Sequence, residues 1–170
     1  YYGNKLYDHL LGHGFKITKV SIKDGESSKD LAIYTDIIST MLEKNFDRSS
    51  VVLSLGGGVV GDIAGFVSAT YMRGVRYHQI PTTLLAMVDS SIGGKTGLNF
   101  SKTKNIIGSI YQPSSVIIDP EILMTLPRDE VISGLGEIIK YGAIRDSNFL
   151  LQLSESVSYT HLTLPTSPKV

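Results

Sequence analysis

The stretch VVLSLGGGVVGD, Val51 to Asp62, constrains this chain more than any other. Val51 to Leu55 is a short run of β-branched and aliphatic residues and reads as a strand buried on both faces. Three glycines follow at once, and an apolar run from Ile63 to Met72 carries helical spacing. Gly56, Gly58 and Gly61 satisfy G-x-G-x-x-G between a strand and a helix, the only context in which that motif has physical meaning. There the backbone can turn tightly, and a diphosphate can lie against N–H groups at the helix start. The competing reading is an ordinary glycine turn, and the flanking elements favour a dinucleotide site over it.

The rest of the chain reads as α/β. Tyr1 to Gly14 is expected to form a short helix, and the alternation in Phe15 to Ile22 a strand. Asp24 to Ser28 is a turn ahead of a helix from Asp30 to Lys44, and the opening strand comes next. Strand, loop, helix, strand is the unit that builds parallel sheets with right-handed crossovers. Beyond the glycines the pattern predicts a helix from Ile63 to Tyr71, a strand from Val75 to Ile80 and a helix from Leu84 to Ser90. A loop with a second glycine cluster (Gly93, Gly94, Gly97) precedes a buried strand from Val116 to Asp119. From Pro127 onward the pattern is helical, with Pro at the first turn of a helix reaching Ile144 and Phe149, Leu150 and Leu153 marking another. These boundaries give an α/β domain over 1–126, the start of an all-helical domain over 127–156, and a tail over 157–170.

Composition removes several function classes. Lys+Arg and Asp+Glu both number 16, so no global field favours nucleic acid or a membrane surface as partner. No apolar run approaches membrane-spanning length. With no cysteine, disulfides and thiolate metal sites are out, and a metal must be held by His, Asp or Glu. A reducing, cytoplasmic setting fits that usage.

Several polar residues invite a chemical reading. A standard dinucleotide fold places an acid about 20 residues past the glycines to hold the ribose. Here Gln79 to Leu84 contains none, so the acid would have to come from the earlier turn, Asp24 or Glu26. Lys95 sits between Gly94 and Thr96, and with Asp89, Lys104 and Asn105 it suits a phosphorylated or carboxylated substrate. Lys102 reads as a solvated loop cation, and Arg73 beside Gly74 is a weaker anion-binding candidate. The Gly93–Gly97 cluster lacks the four-residue spacer of a P-loop, so a nucleoside triphosphate site is not expected. Glu137 and Lys140 share a helix face, and spacing alone favours an ordinary ion pair. His9 and His13 stand at i, i+4 but read as a solvated pair.

GGGVVGDIAGF, YMRGVRYHQIPTTLLAMVDSSIGGKTGLN, KNIIGSIYQPSSVIIDP and LPRDEVISGLGEIIKYG together closely resemble the 3-dehydroquinate synthase family of the sugar-phosphate cyclase group. The resemblance runs from about Phe15 to Ser154. It implies a Rossmann-like, parallel-sheet NAD-binding domain followed by a helical domain that carries a zinc or cobalt site. By motif position, NAD would be contacted by Glu26, Lys29, Gly58, Val59, Val60, Gly61, Asp62, Thr82, Thr83, Leu123, Met124 and Thr125, with Lys95 and Lys104. Asp89, Lys95, Lys104, Asn105 and Lys140 would surround a small sugar-phosphate substrate, and Glu137 would be the first metal ligand. Arg73 matches an arginine that reaches the site of the partner subunit in a homodimer.

The implied reaction converts 3-deoxy-D-arabino-heptulosonate 7-phosphate to 3-dehydroquinate and phosphate, a step of the shikimate pathway toward aromatic amino acids. It proceeds by transient oxidation, phosphate loss, re-reduction and an aldol closure, so NAD ends unchanged. Two departures from the family pattern stand out. The two downstream histidines that complete the metal site are not reached, and 157–170 does not resemble the family's next helix, so His161 is not promoted to a ligand. With Tyr at position 1 instead of Met, the expectation is a piece of a longer enzyme with a foreign tail, inactive alone. Leu135, Ile138, Ile139, Phe149 and Leu150 are then expected to leave an exposed apolar patch. The related inosose and valiolone cyclases, and an iron-type polyol dehydrogenase, are the alternatives.

Overall fold

The computed structural model describes residues 2–146 and 148–155; the expected tail over 157–170 lies outside them. Longer helices are α1 (Tyr2–Gly12), α2 (Leu31–Glu43), α3 (Gly58–Thr70) and α4 (Arg128–Arg145), and residues 148–155 are helical as well. Five strands are β1 (Val51–Gly56), β2 (Arg76–Pro81), β3 (Lys95–Phe100), β4 (Thr103–Ile110) and β5 (Ser115–Val116). β1, β2 and β5 form a parallel sheet in that order, with Leu53 opposite His78 and Gln79 opposite Val116. β3 and β4 form a separate antiparallel hairpin.

Local chemistry accounts for the elements. Asp30 caps α2, its Oδ1 accepting the Ile33 N–H at 2.9 Å. α2 turns Ile33, Tyr34, Ile37 and Ile38 toward a core of Met41, Ile63, Val67, Tyr71, Val75 and Leu98. α3 lies at the centre of that core, between the parallel sheet and the hairpin. It can approach β3 closely because position 65 has no side chain: a Cβ there would stand 2.4 Å from Thr96 Cγ2.

The structure departs from the sequence expectations in four places. Residues 15–22 are irregular and form no strand; their alternating side chains find no neighbouring strand among the described residues. α3 begins at Gly58, five residues before its expected start, so the glycine motif is its first turn and not a loop ahead of it. The stretch from Lys95, expected to be a loop, forms the β3–β4 hairpin. Among the described residues, the sheet is also covered fully on one face and only partly on the other. Ser54, Tyr77 and Gln79 are buried toward α3, whereas Val51 and Leu53 are about two-fifths exposed and Ile117, in the expected 116–119 strand, is half exposed.

Gly65→Ala is expected to force α3 off β3 and to cost about 1–3 kcal/mol, as overpacking of a close helix–strand contact does. Urea midpoints for the variant and the unaltered chain measure it, and equal midpoints would show that the contact relaxes freely.

Candidate functional site

The functional residues converge where β1 and β2 end. Gly57 caps α3 without a side-chain bond, so the first N–H groups of that helix, from Gly58, Val59 and Val60, face outward past the strand ends. The Thr82 N–H donates to the Gly56 carbonyl at 3.0 Å, which sets the end of β2 against the glycine turn. Thr83 Oγ1 accepts the Ala86 N–H at 3.2 Å and starts the next short helix. That helix widens to π spacing over Ala86–Ser90, with the Ser91 N–H reaching back to the Ala86 carbonyl, and Asp89 lies in the wide turn.

Lys29 occupies the centre of the site. It is only 4% exposed, and its ammonium is held by the Asp62 carboxylate on α3 and by Asn105 Oδ1 on β4. Burial pushes the Asp62 carboxyl above the ordinary carboxylate range, and the Lys29 hydrogen bond and charge pull it back only in part. Asn105 has a left-handed backbone (φ 54°), and its N–H donates to Asn99 Oδ1 at 2.9 Å. Asn99 Nδ2 donates to Glu26 Oε1 at 2.8 Å, which holds the exposed carboxylate of the turn before α2.

Two concave regions flank this network. One, of about 480 Å³, is lined by Asp62, Asp89, Lys95 and Asn105 together with hairpin backbone. The other, of about 400 Å³, is lined by Glu26, Lys29, Asn99, Lys102 and Lys104. Lys29, Asp62 and Asn105 thus form the wall between them. Of the expected site residues, Asp62, Asp89, Lys95 and Asn105 line the first region and Glu26, Lys29 and Lys104 the second; Gly58 to Gly61, Thr82, Thr83 and Lys140 line neither, and the exposed Lys102 borders the second.

α4 brings the remaining pair. The Tyr141 hydroxyl donates to Asp89 Oδ1 at 2.8 Å, tying this helix to the π turn. The bond to Asp89, reinforced by Glu137, pushes the Tyr141 hydroxyl up to about 12. Glu137 Oε1 is buried, and its partner is the Lys140 ammonium, which stands against it as an ion pair. α4 approaches closely at Gly134, where a Cβ would stand 2.6 Å from Leu84 Cβ.

Some expected site residues are not gathered here. Arg73 is exposed on the turn into β2 with φ 67° and borders neither concave region. Leu123, Met124 and Thr125 lie on a 3-10 turn outside both; Met124 is 86% exposed and Thr125 Oγ1 meets the Tyr2 hydroxyl at 2.8 Å. His9 and His13 are exposed on and just after α1, and no cluster of three metal-binding side chains occurs among the described residues. Two residues of consequence, Asn99 and Tyr141, were not marked by the sequence reading. The alternation in KTGLNF could have placed Asn99 on a strand edge, and the one-residue step from Lys140 could have drawn notice to Tyr141.

A parallel sheet ending at a helix-borne glycine turn, with a buried lysine network beside it and a further helix packed on, is a Rossmann-like α/β arrangement. The chain belongs to the 3-dehydroquinate synthase family: the model of that family's N-terminal region matches residues 19–133. It is 51% identical over 157 residues to the 3-dehydroquinate synthase of Alkaliphilus metalliredigens, a match covering 92% of this chain and 44% of that protein. To the Clostridium acetobutylicum synthase it is 49% identical over 155 residues, 91% of this chain and 44% of that one. The chain therefore spans about two-fifths of the length of these relatives. Among solved structures, 2-epi-5-epi-valiolone synthase from Streptomyces hygroscopicus, with NAD+ and Zn2+ bound, is similar with a TM-score of 0.81 and 36% identity, over 86% of this chain and 41% of that one. A 2-deoxy-scyllo-inosose synthase complexed with carbaglucose-6-phosphate, NAD+ and Co2+ gives 0.76 and 28%, over 81% and 38%. Glycerol dehydrogenase from Schizosaccharomyces pombe, at 20% identity and a TM-score of 0.64, over 82% and 33%, shares the fold.

Lys29→Met leaves the Asp62 carboxylate buried without its cation. It is expected to lose about 2–3 kcal/mol of stability at pH 7.5. The sign with pH follows from the raised folded-state Asp62: the folded chain holds that proton more tightly than the unfolded one, so stability falls as pH rises through the folded value. The Lys29→Met loss should therefore shrink at pH 4.5, and urea midpoints at the two pH values test it; an equal loss at both would rule out Asp62 as its source. Separately, absorbance titration of the tyrosines should show Tyr141 ionising at about 12, and Asp89→Asn should move that step down toward the ordinary tyrosine range.

Proposed function

We propose that this chain supplies the NAD-binding half and much of the substrate site of a 3-dehydroquinate synthase. The enzyme would convert 3-deoxy-D-arabino-heptulosonate 7-phosphate to 3-dehydroquinate and phosphate. The observation that carries this reading is the Lys29 wall: it holds Asp62 in the helix that starts at the glycine turn and, through Asn105 and Asn99, ties in Glu26, beside a concave region that Lys95 and Asp89 line. Identity of about one half to named synthases, against 36% and 28% to the valiolone and inosose cyclases, favours this substrate over theirs.

The residues fit the two groups the reaction needs. For NAD, the uncapped N–H groups of Gly58, Val59 and Val60 would hold the diphosphate, Glu26 a ribose, and Thr82 and Thr83 the near edge of the nicotinamide half. For a divalent metal such as zinc or cobalt, Glu137 offers a buried carboxylate oxygen whose partner here is the Lys140 ammonium, a cation that a metal ion would replace. When bound, NAD supplies a reversible hydride acceptor and the metal a Lewis acid at the reacting alcohol oxygen.

This chain's own residues do the positioning. Lys95 and Lys104, both exposed at the hairpin, would pair with the substrate's phosphate and carboxylate, and Asn105 would donate from its free amide nitrogen. Asp89, held by Tyr141, would orient a substrate hydroxyl or take its proton. Lys140, more than half exposed, can leave Glu137 for an anionic substrate group. Holding all these groups in one frame lets successive steps meet the reacting atom in place. Leu123 to Thr125, by motif position, would contact the cofactor, and 127–156 would begin the metal-bearing helical domain. Arg73, exposed and away from both concave regions, would serve the site of a second subunit in a homodimer.

The 170-residue chain should bind NAD in calorimetry, and Glu26→Gln should weaken that binding about tenfold, the worth of one charge-assisted hydrogen bond. With NAD, zinc and substrate it should release no phosphate, because a single carboxylate ligand does not make a metal site. Sustained phosphate release by this chain alone, or no NAD binding, would overturn the reading.

A further inference from the structure

We propose that Asn99 is a positioning residue that sets Glu26 for NAD and couples it to the substrate side of the site; this rests on the reading of Glu26 as a cofactor contact. Asn99 occupies an irregularity in the hairpin. Leu98 pairs with Ile107 and Phe100 with Thr103, and the register shifts between them. Such a bulge re-aims one residue, and here it frees the Asn99 backbone from the ladder. Its N–H goes instead to the Lys29 carbonyl at 2.7 Å. Its side-chain amide is used in both directions, Nδ2 to Glu26 Oε1 at 2.8 Å and Oδ1 from the Asn105 N–H at 2.9 Å.

Each bond acts on a residue that would otherwise be loosely held. Glu26 is exposed on a 3-10 turn behind Gly25, and its carboxylate has many rotamers to choose from in solvent. The Asn99 donor selects one. Asn105 carries a left-handed backbone, tolerable for Asn but uncommon, and the Asn99 acceptor stabilises the N–H of that conformation. Asn105 in turn accepts from Lys29, whose own carbonyl accepts from Asn99. The Lys29 N–H donates to the Glu26 carbonyl at 3.1 Å, so Glu26, Lys29, Asn105 and Asn99 close a ring between the two concave regions, with Asn99 the member that faces both ways.

A purely structural asparagine and a positioning one differ in what NAD binding reports. Asn99→Asp keeps the acceptor for Asn105 but sets a carboxylate against Glu26. Two ionised carboxylates at that distance repel, and the donor that held Glu26 is lost. NAD binding to Asn99→Asp should thus be about tenfold weaker than to the unaltered chain at pH 8. Asn99→Ala and Glu26→Ala should be non-additive, the double variant binding NAD no more weakly than Glu26→Ala alone. Calorimetry on the 170-residue chain and these variants gives the dissociation constants, and thermal unfolding checks that each is folded. Asn99→Asp, which retains the Asn105 bond, serves if Asn99→Ala does not fold. Additive losses, or Asn99→Asp binding within twofold of the unaltered chain at pH 8, would overturn the proposal. If the unaltered chain fails to bind NAD, the reading of Glu26 falls and takes this inference with it; if it binds and the variants match it, only the inference falls.

Discussion

The site depends on one buried ammonium. Lys29 leaves water almost completely, and a cation in that position needs fixed partners. They come from two elements far apart in sequence: Asp62, in the second turn of α3, and Asn105, at the base of β4. Replacing such a pair by apolar groups often costs little, so its value lies less in net stability than in register. If the hairpin moves by one residue, Asn105 no longer meets Lys29. If α3 rotates, Asp62 leaves it. The contact therefore fixes how the hairpin sits on the helix that begins at the glycine turn, and the two concave regions keep their shapes because their common wall is pinned.

That arrangement was only partly legible in the sequence. The parallel β1–α3–β2 unit could be read because its signals are local: an aliphatic run, a glycine turn, then a change of period from 2 to 3.6. The Phe15–Ile22 alternation misled because alternation reports a preference for a half-buried ribbon, and a strand exists only where a neighbour supplies its hydrogen bonds. The hairpin was hidden for the opposite reason. Gly93, Gly94, Gly97 and three lysines within a short span look like loop chemistry, yet Gly97 and Gly108 face each other across β3 and β4 and let the two backbones approach. Lys29 was expected on the cofactor side from its motif, but its burial could not be read, because Asp62 and Asn105 stand 33 and 76 residues away.

α4 shows how far one chain carries the second half of the site. Gly134 lets it pack against Leu84, and Tyr141 reaches Asp89, so its first three turns are held by the α/β layer. Its other face is not. Ile132, Ile139 and Ile144 are half exposed or more, as are Leu151 and, to a lesser degree, Phe149 beyond it. Of the apolar patch expected here, Ile139 and Phe149 are open while Leu135, Ile138 and Leu150 are partly covered. The buried oxygen of Glu137 belongs to the held face. A helix anchored on one side, with a carboxylate turned inward and aliphatic side chains turned outward, is half of an interface. The relatives, more than twice as long, have chain left to supply the other half.

The missing acid of the glycine turn has a mechanical explanation on the proposed assignment. In a fold that places its ribose-binding acid on the next strand, cofactor recognition is finished within one βαβ unit. Here the candidate acid, Glu26, lies ahead of that unit on an exposed turn, and its orientation comes from Asn99 on the hairpin. The same hairpin carries Lys95, Lys104 and Asn105. A group that grips the cofactor is thus held by the element that would grip the substrate. Displacement of the hairpin by an arriving anion would be felt at Glu26 through one amide, and cofactor binding would set the hairpin in return, since coupling between two sites is reciprocal. A catalyst that oxidises and then reduces the same molecule has reason to keep its cofactor in place between the two steps. Joining both grips through Asn99 is a direct way for a fold of this size to do so.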